Sequence, residues 1–328
     1  MKLLMLGGTE FVGRALTEEA LDRGWDVTVF HRGHHAPPPG AARLHGDRTA
    51  PGGLDALAAG EWDLVVDTWG GAPTAVRDAA RRLRGRAGRY TYISSRSVYS
   101  YPAPFGLAED GPLVEGSPDA GSVAYAEDKR GGELAAAGTF GEDASLLVRA
   151  GLILGPYENV GRLPWWLTRM AQGGPVLAPG PRDLPVQYVD VRDLAGWTLD
   201  AAAAGLSGPY NLACPNGHAT LGDLLQACAE VTGGRAELRW TDPQRVLDAG
   251  VQPWTELPVW LPRGELYDFM YGGDVTRAVG AGLKCRPVEE TVAGTWAWLT
   301  ELGGAAPQRA DRPRPGLDAE REAALLAR

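Results

Sequence analysis

Tyr125 and Lys129 stand four residues apart in the run Ala124-Tyr125-Ala126-Glu127-Asp128-Lys129. On a helix, side chains at i and i+4 share a face, so this spacing sets a phenol beside an ammonium. A neighbouring positive charge favours the phenolate and brings a tyrosine toward the range where it can exchange protons. Lysine is scarce here: Lys2, Lys129 and Lys284 stand against 29 arginines. The competing reading is an exposed helix face with an incidental lysine, and the elements around the pair must decide.

Those elements begin with a short apolar run at residues 2–6, closed by Gly7-Gly8. Phe11, Val12, Ala15, Leu16 and Ala20 then follow helical spacing, and Val27-Thr28-Val29-Phe30 reads as a second strand. Strand, glycine turn, helix and strand in that order make a βαβ unit, the opening of a doubly wound parallel α/β sheet. The turn is Gly7-Gly8-Thr9-Glu10-Phe11-Val12-Gly13. Glycines let the backbone approach a pyrophosphate, and the N–H groups at the helix start receive its charge. Gly7, Thr9, Phe11, Val12 and Gly13 are therefore the expected dinucleotide contacts; many glycine turns, however, only connect elements.

Further positions around such a cofactor can be read in order. The second strand ends in His31-Arg32-Gly33 rather than in an acid. Arg32 suits a ribose 2′-phosphate, which makes NADP the expected cofactor over NAD; the alternative is a solvated arginine. Short strands are expected at 42–45 and 64–67. The first leads to Asp47, placed to meet the adenine amino group, and the second to Thr68-Trp69, placed to run under the cofactor. Tyr90-Thr91-Tyr92-Ile93-Ser94-Ser95 is a fifth strand, ending in hydroxyls at the edge where ligands bind in such folds. Residues 73–83 read as a helix with a basic, solvated face, and 145–148 as a sixth strand.

At this point the chain resembles an extended short-chain dehydrogenase/reductase, of the NAD-dependent epimerase/dehydratase family. The resemblance rests on Gly-Gly-Thr-Glu-Phe-Val-Gly at 7–13, Ser-Ser-Arg-Ser-Val-Tyr at 94–99 and Tyr-Ala-Glu-Asp-Lys at 125–129. Leu-Gly-Pro at 154–156 and Tyr-Val-Asp-Val-Arg-Asp-Leu-Ala at 188–195 complete it, so that it spans nearly the whole chain to about residue 300. It implies Tyr125 as general acid/base, Lys129 as the group that lowers the tyrosine's pKa and holds the nicotinamide ribose, and Ser95 as hydrogen-bond donor to the substrate carbonyl. Ser94 and Ser97 are the neighbouring candidates whose plainer reading is turn capping, as strand-end serines often do. Two positions depart from the family. Glu10 replaces the middle glycine of the turn, and Arg96 follows Ser95 where the sugar dehydratases carry an acidic pair, which disfavours a dehydratase.

Composition bounds the rest. A net charge of −9 and a pI near 5.2 oppose a nucleic-acid surface. Cys214, Cys228 and Cys285 are few, odd in number and widely spaced, as expected of reduced thiols in the cytoplasm. No apolar run reaches the ~18 residues of a membrane span. Arginine, alanine and glycine usage fits a GC-rich bacterial genome.

The expected organisation is a Rossmann domain over 1–155, with 190–213 returning to it. A smaller substrate lobe from 156–189 and 214–303 follows, then a C-terminal linker and short helix over 304–328. That lobe is rich in tryptophan, and Trp165 and Trp166 are candidate substrate contacts, or else fill its core. The leading expectation is an NADP-dependent oxidoreductase acting on a carbonyl or imine carbon of a small non-sugar metabolite, with NAD as the other cofactor. The alternatives are a nucleotide-sugar epimerase with tightly bound NAD and, remotely, a non-catalytic relative associated with RNA. The resemblance also implies a homodimer, and nothing in the sequence calls for a membrane or a metal.

Overall fold

The computed structural model describes residues 1–327, and the chain divides into two compact units. The first comprises Met1–Gly151, Val191–Ala213 and Asp274–Lys284; the second comprises Leu152–Asp190, Cys214–Gly273 and the chain from Cys285 onward. The segment 274–284, expected in the substrate lobe, belongs to the first unit. It is tied there by its backbone: Asp274 N–H donates to Leu107 O at 3.0 Å, and Trp197 Nε1 donates to Ala281 O at 3.2 Å. Arg277 stacks over the Tyr210 ring at 4.2 Å in the same region.

The first unit is built on seven strands: β1 (Lys2–Leu6), β2 (Asp26–His31), β3 (Ala42–His45), β4 (Trp62–Asp67), β5 (Ala87–Ser95), β6 (Ser145–Ala150) and β7 (Gly208–Leu212). All pair in parallel in the order β7-β6-β5-β4-β1-β2-β3. The chain leaves β1 in one direction for β2 and β3, and later crosses to the other side of β1 to place β4 through β7. The switch point therefore lies between β1 and β4, where open α/β sheets bind their ligands. Leu3, Leu4, Met5 and Leu6 of β1 are at most 1% exposed. A strand so buried on both faces reads as a continuous apolar run rather than as an alternation.

Four helices cover this sheet: α1 (Phe11–Asp22), α2 (Pro73–Leu83), α3 (Tyr125–Phe140) and α4 (Val191–Ala203). Helix α1 packs on α4, and α2 on α3. Helix α2 buries Ala75, Val76, Ala79, Ala80 and Leu83 at helical spacing and turns its arginines outward, where Arg77 pairs with Asp78 and Asp119. The α2–α3 approach is close because Gly131 lacks a side chain. A Cβ there would stand 2.5 Å from Pro73 Cγ.

The second unit has its own core, in which Trp166, Trp260, Tyr188, Tyr267 and Tyr271 are the largest buried rings. Two parallel strands, Gly174–Pro179 and Ala236–Thr241, lie in it with helices Arg162–Gln172, Leu221–Val231 and Val288–Glu301. The C-terminal segment packs within the second unit, where Arg309 N–H of the linker donates to Asn159 O at 3.1 Å. Gly316 N–H donates to Thr255 O at 2.8 Å, and Glu322, 4% exposed, accepts from Leu177 N at 3.0 Å and pairs with Arg169 at 2.6 Å. Residue 328 lies outside the described residues. Among the described residues no helix is long and apolar enough to cross a membrane.

Candidate active site

Gly7 (φ +111°) and Gly8 (φ +88°) turn the chain from β1 into α1. A Cβ on Gly7 would stand 2.4 Å from Thr68 Oγ1, and one on Gly13 would stand 2.6 Å from the Gly8 nitrogen, so both positions admit only glycine. Thr17 Oγ lies 2.8 Å from Gly13 O and 3.2 Å from Gly8 O, which clamps the turn to the helix. Phe11, the first residue of α1, holds φ at +35°, a strained value for a side chain of its size. No side chain caps the start of α1. Uncapped N–H groups at a helix start can receive an anion such as a pyrophosphate, and a glycine turn of this kind before them is of the type that fits a dinucleotide. Glu10 points away into the solvent, 3.6 Å from His35 Nε2.

The expected adenosine-end residues come together at the β2–β3 edge. Arg32 follows β2 directly and is exposed; its carbonyl oxygen lies 2.9 Å from His45 Nε2. Asp47 follows β3. Its carboxylate accepts from Thr49 Oγ at 2.7 Å and Thr49 N at 2.9 Å. Those two bonds, helped by the charge of Arg32, hold it below the usual carboxylate range. A carboxylate kept ionised there can accept from an amino group, and the arginine beside it can receive a phosphate.

Lys129 and Tyr125 sit at the other end of the turn system, one helical turn apart on α3. Lys129 is 4% exposed, and its Nζ donates to Trp69 O at 2.6 Å and to Ile93 O at 2.7 Å. The ammonium also lies 4.8 Å from the Tyr92 ring centroid. Tyr125 is 42% exposed. Both side chains flank Gly70: a Cβ there would be 3.8 Å from Lys129 Nζ and 3.9 Å from Tyr125 Cε2. Asp128 anchors the start of the helix by accepting from Val123 N and Ser122 Oγ, each at 3.0 Å. Ser95 ends β5, two residues past the Ile93 carbonyl that receives Lys129. Its Oγ accepts from Ser97 N at 3.1 Å and lies 3.1 Å from Ser97 Oγ. Thr68 and Trp69 form the turn after β4, as expected.

The Arg48–Asp67 pair of this region escaped sequence reasoning, and Arg96 and Trp166, which it singled out, sit in surroundings it did not foresee. Arg48 and Asp67 form an ion pair, 2.9 Å, with side chains 5% and 0% exposed, and Tyr90 OH donates to Asp67 at 2.5 Å. The signal was present in the charged residue that closes the otherwise apolar Leu64-Val65-Val66-Asp67. Arg96, 5% exposed, lies immediately after Ser95; burial pushes its guanidinium down to about 10 against the pull of Tyr99 and Glu109. Trp166, expected as a possible substrate contact, is a core residue of the second unit. It is wholly buried and donates its indole N–H to Pro258 O at 2.7 Å. Trp165 is half-buried and packs edge-on against it at 4.6 Å. Of the two readings offered for these rings, core filling describes Trp166.

Solved structures share this architecture. The enzyme WbmH of Bordetella bronchiseptica in complex with NAD+ matches at TM-score 0.66 and 18% identity, over 92% of this chain and 99% of that one. The UDP-glucose 4-epimerase of Thermotoga maritima with UDP-glucose matches at TM-score 0.65 and 15% identity, again over 92% and 99%. The UDP-glucuronic acid 4-epimerase of Bacillus cereus in complex with NAD matches at TM-score 0.63 and 15% identity, with the same coverage. The chain has their fold. No family model and no curated protein sequence matches it. At such identities the likeness carries the doubly wound sheet and its second unit, and the chemistry has to be argued from this chain's own side chains. Among the described residues, no group of three or more His, Cys, Asp or Glu side chains is placed to hold a metal.

Proposed function

We propose that the chain is an extended short-chain dehydrogenase/reductase that moves hydride to or from a carbonyl or imine carbon of a small, non-sugar metabolite, with NADP preferred. The observation that carries this reading is Lys129 seated on two carbonyl oxygens, with Tyr125 one turn away and both side chains against Gly70. The nicotinamide ring of the bound cofactor supplies or receives the hydride. Tyr125 exchanges the proton with the substrate oxygen, and its exposed position at the start of α3 leaves it accessible to a substrate. Lys129 brings positive charge to that phenol and reaches the cofactor ribose. Ser95 turns its hydroxyl to the substrate oxygen, with Ser97 as its partner in the meantime. Gly7, Thr9, Phe11, Val12 and Gly13 cradle the pyrophosphate, Arg32 takes the 2′-phosphate, Asp47 the adenine, and Thr68-Trp69 pass beneath. The same reading includes a cytoplasmic homodimer.

A second reading, a nucleotide-sugar epimerase with retained NAD, is favoured by one observation: several of the similar solved structures are 4-epimerases of UDP-sugars, acting on UDP-galactose, UDP-glucose or UDP-glucuronic acid by their names. Arg32 in place of an acid speaks for the first. Melting shifts with NADP, NAD and UDP-sugars separate the two, since only the partner that binds the folded chain raises its melting temperature. Tyr125→Phe tests the chemistry. Turnover should fall by at least ~100-fold with cofactor affinity retained, and near-normal turnover would remove Tyr125 from the mechanism.

A further inference from the structure

We propose that Asp67, braced by Arg48 and Tyr90, is a positioning residue for Lys129 and acts through the backbone of Trp69. The inference deepens the reading above and rests on it for its importance to catalysis, but the geometry concerns the lysine alone.

An ammonium withdrawn from water has three N–H groups to satisfy, and its direction is set by whatever accepts them. For Lys129 two acceptors are backbone carbonyls of different kinds. Ile93 lies inside β5, where the ladder fixes its oxygen. Trp69 lies in the irregular turn after β4, where no ladder does. The direction of the Lys129 ammonium therefore depends on what holds that turn.

Asp67 holds it. Its Oδ1 accepts from Trp69 N at 2.9 Å, two residues on, which fixes the peptide before Trp69. The carboxylate is itself pinned from two further directions: Arg48 Nη1 donates to both of its oxygens, at 3.0 and 2.9 Å, and Tyr90 OH donates to Oδ2 at 2.5 Å. Arg48 also lies over the Trp69 ring at 5.1 Å, and Trp69 Nε1 donates to Ala72 O at 3.0 Å, so backbone and ring are both tied. Tyr92 OH donates to the same Trp69 oxygen at 2.9 Å. Burying an arginine and a carboxylate together gives little net stability compared with an apolar pair of similar volume. What this pair provides is a fixed Trp69 N–H and ring, which set the residue whose carbonyl, held directly by Tyr92 OH, lies 2.6 Å from Lys129 Nζ.

The test uses full-length protein carrying 15N-lysine. The chain has only Lys2, Lys129 and Lys284, so three ammonium signals arise, and Lys129→Arg assigns the relevant one. The readout is the exchange of that ammonium's protons with water. In the double variant Arg48→Met/Asp67→Leu neither partner of the ion pair is left buried alone, and Lys129 exchange should rise by at least about tenfold with Lys2 and Lys284 unmoved. In Arg48→Met/Asp67→Asn an oxygen remains for the Trp69 N–H, and slow exchange should return. Tyr90→Phe, which removes one brace, decides the matter if the leucine variant does not fold; it should speed exchange by a smaller factor. Unchanged Lys129 exchange in a folded leucine variant or, failing that, in Tyr90→Phe overturns the proposal. Equal acceleration in the leucine and asparagine variants overturns it too, since general loosening would then explain both. Failure of the catalytic reading is separate: it appears as undiminished turnover of Tyr125→Phe with the Lys129 signal behaving as expected.

Discussion

Glu133 and Arg149 meet in a buried two-point pair, Nε to Oε1 at 2.9 Å and Nη2 to Oε2 at 3.0 Å, with side chains 0% and 2% exposed. Glu133 lies one turn beyond Lys129 on α3, and Arg149 lies on β6, so the pair fastens the helix carrying Tyr125 and Lys129 to the sheet. Ser94 Oγ donates to the same carboxylate at 2.7 Å, and Arg149 donates to Tyr99 OH at 3.0 Å, which extends the network to the strand end carrying Ser95.

Glu133→Ala leaves the Arg149 guanidinium buried without its carboxylate. Such a loss costs about 3–5 kcal/mol, and a urea midpoint moved far below that of the parent, with an unchanged slope, is the expected result. A shift of less than ~1 kcal/mol would mean that water or a neighbour replaces the carboxylate.

Gly13→Ala places a methyl 2.6 Å from the Gly8 nitrogen and 2.9 Å from Gly8 Cα. The neighbour is backbone and cannot swing aside, so the turn itself must shift. Overpacking of this kind costs about 1–3 kcal/mol. Dinucleotide affinity, followed by titration calorimetry, should drop well beyond what the loss of stability explains. Unaltered affinity would show that the turn does not carry the pyrophosphate.

Arg32→Ala removes the one charge-assisted contact expected for a 2′-phosphate. Such a bond is worth about 1.5–3 kcal/mol, so the NADP-over-NAD affinity ratio should fall roughly tenfold to a hundredfold. Parallel titrations with both cofactors check it. An unchanged ratio takes Arg32 out of the role and strengthens the epimerase reading.

Alkaline pH should unfold the first unit through its tyrosines. Burial pushes the Tyr90 and Tyr92 phenols well above the ordinary range, with the Asp67 carboxylate adding to the effect. A folded-state pKa above the unfolded one means that the stability is intact below about pH 10 and lost as pH rises toward the folded value. Phenolate absorbance near 295 nm should therefore rise in two stages, the later one coinciding with loss of circular dichroism. A single stage near pH 10 with the fold intact would contradict it.

Much of this was legible in the chain. Apolar pattern and spacing placed the first six strands of the parallel sheet and the helices that begin at Phe11 and span 73–83, because β1 is a nearly continuous apolar run and the helices repeat at 3.6 residues. Tyr125-x-x-x-Lys129 was readable for the same reason: i and i+4 meet on any helix, whatever surrounds it. The glycine turn, too, carries its own conformational demand, and Gly7 and Gly8 adopt the positive φ that their type permits.

Local pattern determines local structure, and there its reach stops. Arg48 and Asp67 are nineteen positions apart, Glu133 and Arg149 sixteen, and Lys129 and Trp69 sixty. Nothing in their spacing announces these pairs; only the order of strands, which sets β4 beside β1 and β5, brings them within hydrogen-bond reach. Trp166 makes the same point from the other side. An aromatic residue on an amphipathic helix is equally suited to a pocket wall or to a core, and its burial in the second unit was decided by packing. The sequence by itself determined which groups are available and what backbone they ride on. The tertiary structure decided which are withdrawn from water together, and it is that shared desolvation which makes Asp67, Glu133 and Lys129 choose their partners.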